Sequence, residues 1–501
     1  VAEVDSDFAL TYQHLNTTPE KLTEKCKNNE AVVLFFDAKE IIPDSLSKKT
    51  PENIEAGSSN SSLYLCVIHR GNVKHVLPFK LDVSTESINH YQAYHSKLYR
   101  GQHGGLRDYT QIGGEAILHN VDINLTGIAP SDIPSLLCKQ LDSLDEQIKN
   151  HFWQPLEELL PEVNHWHVIS HGSELHSLPL HNVVPDNHQV NSYPGILFFY
   201  QRHHHNDISP RRATKPTGIA VHHDDAVETQ RPIPFVHAEK IIIHALTQSQ
   251  SISSAGATQK LWLDEKAQSF DNWHFSCHGQ VNNQSPAQTL LVLDAKENQT
   301  LGMSQLLGSQ QRPRVVVLSA CVVGQIHHME GEPIGVNAGF QLRGSDYVIA
   351  PTQPVSDFYM PLFMALFYQA WIKHEKPDEA LIEAKRQLIT GDWDNKTHIE
   401  NLLQEAYIPV LEQQLQQALT QRKPRQKVIP ITLGWFLPDT LEAKFNNMSS
   451  RDWSELSKER YRKEISLEII NHLINQRANL PEHEVRHLCT WIKGFGQIRN
   501  T

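Results

Sequence analysis

The sequence predicts an α/β protein: mostly parallel sheets flanked by helices, in two successive halves followed by a helical tail. Three observations lead there. Val315 to Leu318 carry no polar alternation, the pattern of a strand buried on both faces of a parallel sheet. From Pro216 onward strand-like runs alternate with helical ones, as in a sheet covered by helices. A chain of 501 residues also has room for two or three compact units. We divide it into residues 1–212, 213–445 and 446–501.

A helix is expected over 17–29, with Pro19 at its first position. Ala31–Asp37 (AVVLFFD), Ser62–His69 (SLYLCVIH) and Val73–Pro78 read as strands of one sheet, the last two joined by a tight turn at Arg70, Gly71 and Asn72. Helical patterns cover about 84–100 and 130–160, the second with Leu136, Leu137, Leu141, Leu144, Ile148 and Phe152 at three-to-four spacing. His165–Ile169 makes a strand running into His171-Gly172. No cysteine lies between Cys138 and Cys277, so we read that end as a structural turn in an inactive half.

In the second half, strands are expected at Thr217–Val221, Asn272–Cys277, Thr289–Asp294, Arg314–Ala320 and Ser345–Ala350. Helices are expected at Val236–Leu246, Met303–Leu307, Phe358–His374 and from Pro377 through DEALIEAKRQL. A Gln-rich, then basic segment over about 395–426 leads to a last strand, Lys427–Leu437. Beyond 446 the chain reads as a charged helical appendage with one apolar stripe that includes Leu467, Ile470 and Leu473.

Composition narrows the function. With 45 Lys+Arg against 57 Asp+Glu, a formal charge of -12, neither nucleic acid nor an anionic membrane is an expected direct partner. No stretch approaches the ~18 apolar residues that cross a bilayer. The acidic start, VAEVDSDFAL, lacks the basic-then-apolar layout of a signal peptide. Val1 stands where an initiator Met would, and we expect a piece of a longer chain. Six scattered cysteines without a CxxC pair suit reduced thiols in a cytoplasmic setting. The 30 histidines cluster at 203–205, 222–223 and 327–328, in stretches that read as polar loops without a third ligand at helical spacing, so no metal or other cofactor is expected.

The chemistry gathers at two strand ends. Arg314–Ala320 stops in Ser319, Ala320 and Cys321, with Gly324 just beyond. Ligands meet open α/β sheets at the carboxyl ends of strands. Cys321 is therefore the candidate nucleophile, a thiol presented outward on a turn between small residues. Asn272–Cys277 ends in His278-Gly279 (NWHFSCHGQ), and the 43 residues from His278 to Cys321 leave room for a crossover that returns parallel. A thiol is only a few per cent ionised at neutral pH, and one His can both activate it and protonate a leaving amine. The backbone N–H groups of Gly279 and Cys321 are the natural oxyanion donors. Cys277, inside its strand, reads as packing.

These strings, HFSCHG, LLVLDAKENQTLGMSQLL, VVVLSACVVG and GSDYVIAPTQPVSD, together resemble the CHAT domain, a caspase-like cysteine peptidase module related to separase and other clan CD enzymes. SHGSELHSLPLHNVV, FVHAEKIIIHAL, DEALIEAKRQL and ITLGWFLPD resemble further segments of it, so that the likeness covers roughly 30–440. It implies a caspase-like, separase-like fold with a pseudo-protease half before an active half, a Cys321/His278 dyad and a protein substrate. It also implies that Asp357 lies in the pocket for the residue before the scissile bond, where a carboxylate would select Arg or Lys through paired charge-assisted hydrogen bonds. At the start of the 358–374 helix the same residue reads equally well as a capping acid.

Val322 and Val323 stand where many members carry an acidic residue and a Thr, and Gln353 where a Trp is frequent, which bears on substrate fit. Members are commonly attached to tetratricopeptide or other sensing modules in bacterial defence systems, so a regulatory protein or fused sensor is the expected partner. The polar loop Gln325–Pro333 (QIHHMEGEP) reads as a wall of the substrate groove. Two other readings stay open: a catalytically silent scaffold of the same fold that binds protein partners, and a metal-dependent hydrolase built on the His clusters.

Overall fold

A single helical turn, α1 (Pro19–Thr23), feeds a sheet that contains β1 (Glu30–Asp37), β2 (Leu63–His69) and β3 (Asn72–Pro78). The computed structural model describes residues 19–37, 63–78, 91, 132–171, 178–185, 188–196, 198–200, 216–223, 233–252, 255–264, 269–280, 289–294, 299–309, 311–321, 323–324, 327–329, 332–421, 455, 458–475 and 482–496. The helix expected over 17–29 stops early because Thr23 turns the chain. Its carbonyl accepts the Cys26 N–H, and its Oγ1 accepts the Gly71 N–H at 2.7 Å. Arg70 and Gly71 both take positive φ, 51° and 75°, the two-residue turn whose twist suits a hairpin.

The long helical pattern near 130–160 is α2 (Ile133–Ile148), a π turn (Lys149–Trp153) and α3 (Gln154–Leu159) in one run. Pro155, in the first turn of α3, has no N–H to return to the preceding turn, and the widened turn absorbs it. Next come β4 (His165–His171) and β5 (Gln189–Tyr193), giving the order β3-β2-β1-β4-β5. β4 is parallel to both β1 and β5, and the hairpin strands are antiparallel. Both faces of β4 are covered: Trp166 and Val168 pack with Leu137, Leu141 and Leu144 of α2, while Ile169 packs with Val32, Tyr193 and Phe199.

The second half and one strand of the tail build a six-stranded sheet, in the spatial order Ile492–Gly496, Tyr347–Pro351, Val315–Ser319, Asn272–Ser276, Ile219–His223 and Gln250–Ile252. The elements of the second half in chain order are β6 (Ile219–His223), α4 (Val236–Thr247), β7 (Gln250–Ile252), α5 (Ala255–Leu263) and β8 (Asn272–Ser276). Then come β9 (His278–Gln280), β10 (Leu290–Asp294), β11 (Gln299–Gly302), α6 (Met303–Leu307), β12 (Val315–Ser319) and the hairpin β13 (His327–Met329) and β14 (Glu332–Ile334). After α7 (Val336–Leu342) and β15 (Tyr347–Pro351), three helices follow: α8 (Met360–His374), α9 (Pro377–Thr390) and α10 (Lys396–Gln421). The unalternating valine run is β12. Val315 and Val317 face the core under α4 and α8, and Val316 and Leu318 face the core with Trp262 and Phe340. β10, expected as a strand, lies outside this sheet, between β9 and β11 in a three-stranded antiparallel sheet.

Several expectations change. The Gln-rich 395–426 segment is helical as far as Gln421, because Ile399, Leu402, Leu403, Ala406, Tyr407 and Val410 put one buried stripe through the glutamines. His222 and His223 are buried core residues of β6, not loop residues. His222 is held by Leu293 O and Thr258 Oγ1, and His223 by Lys240 Nζ and Ser251 Oγ. The strand at Lys427–Leu437, the histidines at 203–205 and, apart from Tyr91, the helix near 84–100 lie outside the described residues.

The tail contains α11 (Glu459–Asn475), which packs on α10, then α12 (Glu482–Trp491) and β16 (Ile492–Gly496). This helical tail is docked on the second half, and its strand β16 runs antiparallel to β15. It also reaches the first half. Arg486 pairs with Asp142 at 2.7 Å, Asn182 Nδ2 donates to Thr490 Oγ1 at 3.0 Å, and Lys493 Nζ donates to Leu178 O at 2.6 Å.

Candidate active site

β8 and β12 are parallel neighbours in the register Ser276↔Ser319. Each chain continues two residues beyond that pair, one to His278 and the other to Cys321, so both leave the sheet at its carboxyl edge. At Cys277 the chain bends, and His278 and Gly279 pair with Val292 and Leu291 of β10. The two tips are in contact. A Cβ on Gly279 would stand 1.9 Å from Cys321 O and 2.8 Å from Val323 Cγ1, so only glycine fits.

The thiol is not presented outward as its turn position suggested. Cys321 is 0% exposed and His278 1% exposed. The side chain of Cys321 joins the core that holds Val315 and Val317, and lies against the segment before α8. Its Sγ accepts the Val355 backbone N–H at 3.1 Å and stands 3.6 Å from Val355 O. Two hydrogen-bonding groups of one residue therefore hold the sulfur inward. Cys277 packs on the other face with Trp273 and Phe275, as a core residue.

Asp357 is fully buried, and its Oδ2 accepts the Phe235 N–H at 2.8 Å. The carboxylate thus accepts a donor at the entry to α4. In this conformation the carboxylate faces protein, not a groove. A depression of about 540 Å³ lies between α4, α8 and the 394–398 turn, and none of the four predicted site residues borders it.

One group behind the strand tips was not read from the sequence for what it does. Glu239 of α4 is fully buried; its Oε1 is 2.7 Å from His274 Nε2, and its Oε2 accepts Ser276 Oγ–H at 3.0 Å. His274 Nδ1 is 3.0 Å from Tyr368 OH. The carboxylate thus fixes two residues of β8 just before His278. The signal was present in NWHFSCH, where His274 and Ser276 alternate with Trp273 and Phe275, a polar face on a strand otherwise buried in the core.

The CHAT-domain family model matches residues 143–456. The chain belongs to the CHAT-domain family. CHAT domains are caspase-like, and the two sheets flanked by helices agree with that class. No curated protein matches this CHAT chain. Among solved structures it is similar to the Saccharomyces cerevisiae separase–securin complex, with 11% identity and a TM-score of 0.42, over 73% of this chain. The same alignment spans 30% of the separase–securin chain. No helix among the described residues is long and apolar enough to cross a membrane.

Proposed function

We propose that this CHAT chain is a cysteine endopeptidase held in a latent conformation, with Cys321 as nucleophile and His278 as its general base and acid. The observation that carries the reading is the in-register pair β8 and β12, whose continuations bring His278-Gly279 against Cys321. Attack would transfer the thiol proton to His278 as sulfur adds to the scissile carbonyl, and the same proton would leave with the amine. The N–H groups of Gly279 and Cys321 would receive the oxyanion. Cleavage after Arg or Lys rests on Asp357, which would have to exchange its contact with Phe235 for a substrate cation.

Turnover requires the segment around Val355 to release the thiol, which suits control by a regulatory protein or a fused sensor module, in a bacterial defence or signalling setting. The absence of disulfides among the six cysteines fits a cytoplasmic enzyme. We further assign 1–212 as the pseudo-protease half, 213–445 as the active half and 446–501 as the tail. The experiment is a comparison of new protein N-termini in cells expressing the wild type or Cys321→Ala. Termini that follow Arg or Lys and vanish in the variant support the whole reading; identical sets sink it.

The burial of Cys321 favours a second reading, a catalytically silent scaffold. It predicts the same protein partners co-purifying with wild type and Cys321→Ala, and no cleaved product with either.

A further inference from the structure

The first half carries a cluster of donor groups that the dyad does not use. Glu30 opens β1 directly opposite His165, which opens β4, and His167 lies two residues along the same face. Cys26 sits in the turn before β1. The ligand atoms of Cys26, Glu30 and His167 all lie within 4.8 Å of one another. Glu30 Oε2 is 3.7 Å from His167 Nε2. Donors around a tetrahedral zinc ion stand about 3.3–3.7 Å apart, given bonds of about 2.0–2.3 Å, so a small inward movement of the Cys26 turn would close the set.

We propose that Cys26, Glu30 and His167 bind one Zn²⁺ ion, with water in the fourth position. The outer groups suit it. Tyr193 OH is 3.4 Å from His167 Nδ1, which leaves Nε2 directed at Glu30. His165 Nδ1 is 3.2 Å from Glu30 Oε1, the Lys27 N–H donates to Oε2 at 2.9 Å, and Asn191 Nδ2 is 2.5 Å from His165 Nε2. Partners of this kind fix ligand orientation around a metal.

Charge agrees as well. Zinc, one thiolate and one carboxylate sum to zero with a neutral imidazole, a set that can be buried at low cost. On binding, the S–H bond of Cys26 breaks, an S–Zn bond forms and the proton passes to solvent. Cys26 is half-buried, which gives the ion a route in. The sequence hid the set because its members stand at 26, 30 and 167 and not at a local metal-binding spacing.

The test uses the full chain in a Cys321→Ala background, so that the candidate nucleophile cannot bind metal. After incubation with zinc and desalting, about one zinc per chain is expected by elemental mass spectrometry, falling at least tenfold in Cys26→Ser and in His167→Gln. Cobalt(II) should give a thiolate charge-transfer band that Cys26→Ser abolishes. No retained zinc, or zinc retained equally by both variants, overturns the site. Should the variants fail to fold, alkylation of Cys26 in the unsubstituted cluster decides: at least tenfold slower with zinc supports it, and an unchanged rate refutes it.

Discussion

Val355 donates its backbone N–H to the sulfur of Cys321 at 3.1 Å, a contact that helps to hold the strand-end thiol inward. A sulfur held this way is closed to reagents as well as to substrates. In native protein, iodoacetamide should modify Cys321 and the equally buried Cys277 last, and the half-buried Cys66 and Cys138 first. Peptide mass spectrometry over a time course checks this. Cys321 reacting as fast as Cys138 would mean that the thiol is open at rest.

Gly279→Ala should strike fold and site together. The new methyl would meet a backbone carbonyl at 1.9 Å, and backbone cannot swing aside as a flexible side chain does. We expect a loss of about 3 kcal/mol, the upper end for overpacking, read as a lower urea midpoint. Full stability in this variant would mean that the strand tips do not touch.

Glu239→Ala removes two buried hydrogen bonds to a carboxylate and leaves His274 and Ser276 without it. Bonds to a charged group contribute about 1.5–3 kcal/mol each, so a loss of at least about 3 kcal/mol is expected. Glu239→Gln, which keeps the shape and one acceptor oxygen, should lose less. Equal losses in urea titrations of the two would show that packing, not hydrogen bonding, holds β8.

The junction between the halves and the tail should respond to pH. Burial holds Lys385 of α9 down at about 7, with its Nζ 2.8 Å from His181 Nε2. Burial, then Lys385 itself, holds Lys493 well below its ordinary range, and burial does the same for His181. Unfolded lysine keeps its proton up to about 10.4, so above about 7 the unfolded state binds more protons and stability rises with pH. Cys489, pushed up to about 12 by burial, acts the other way once pH passes about 8.5. The urea midpoint should therefore rise from about pH 7 to about pH 8.5, and Lys385→Met should flatten that rise. A midpoint that falls over this interval contradicts the assignment.

Much of the architecture could be read from residue patterns. The valines at 315–317 could only belong to a strand covered on both sides, and the AVVLFFD and SLYLCVIH runs marked the first sheet. What escaped was structure whose signal lies elsewhere in the chain. β5 (QVNSY) is polar and short, and it is a strand only because β4 lies beside it. β16 contains Gly494 and Lys493, poor strand formers, yet β15 offers it a free edge. The glutamines of α10 obscured a buried stripe that every third or fourth residue maintains. At the candidate site, the residue types and their adjacency were legible, but the direction of the Cys321 thiol was not. Val355 is 34 residues away, and a backbone donor leaves no trace in side-chain identity. For the same reason, the contact of Asp357 with Phe235 could not be foreseen.

The most direct test of the dyad is the rate at which a basic acyloxymethyl ketone forms a covalent adduct, located by mass spectrometry, in wild type and in His278→Ala. General acid–base assistance is worth about 10²–10⁴-fold, so the account predicts an adduct on Cys321 that forms at least a hundredfold more slowly without His278. Adduct formation on Cys321 at the same rate in both proteins would contradict it.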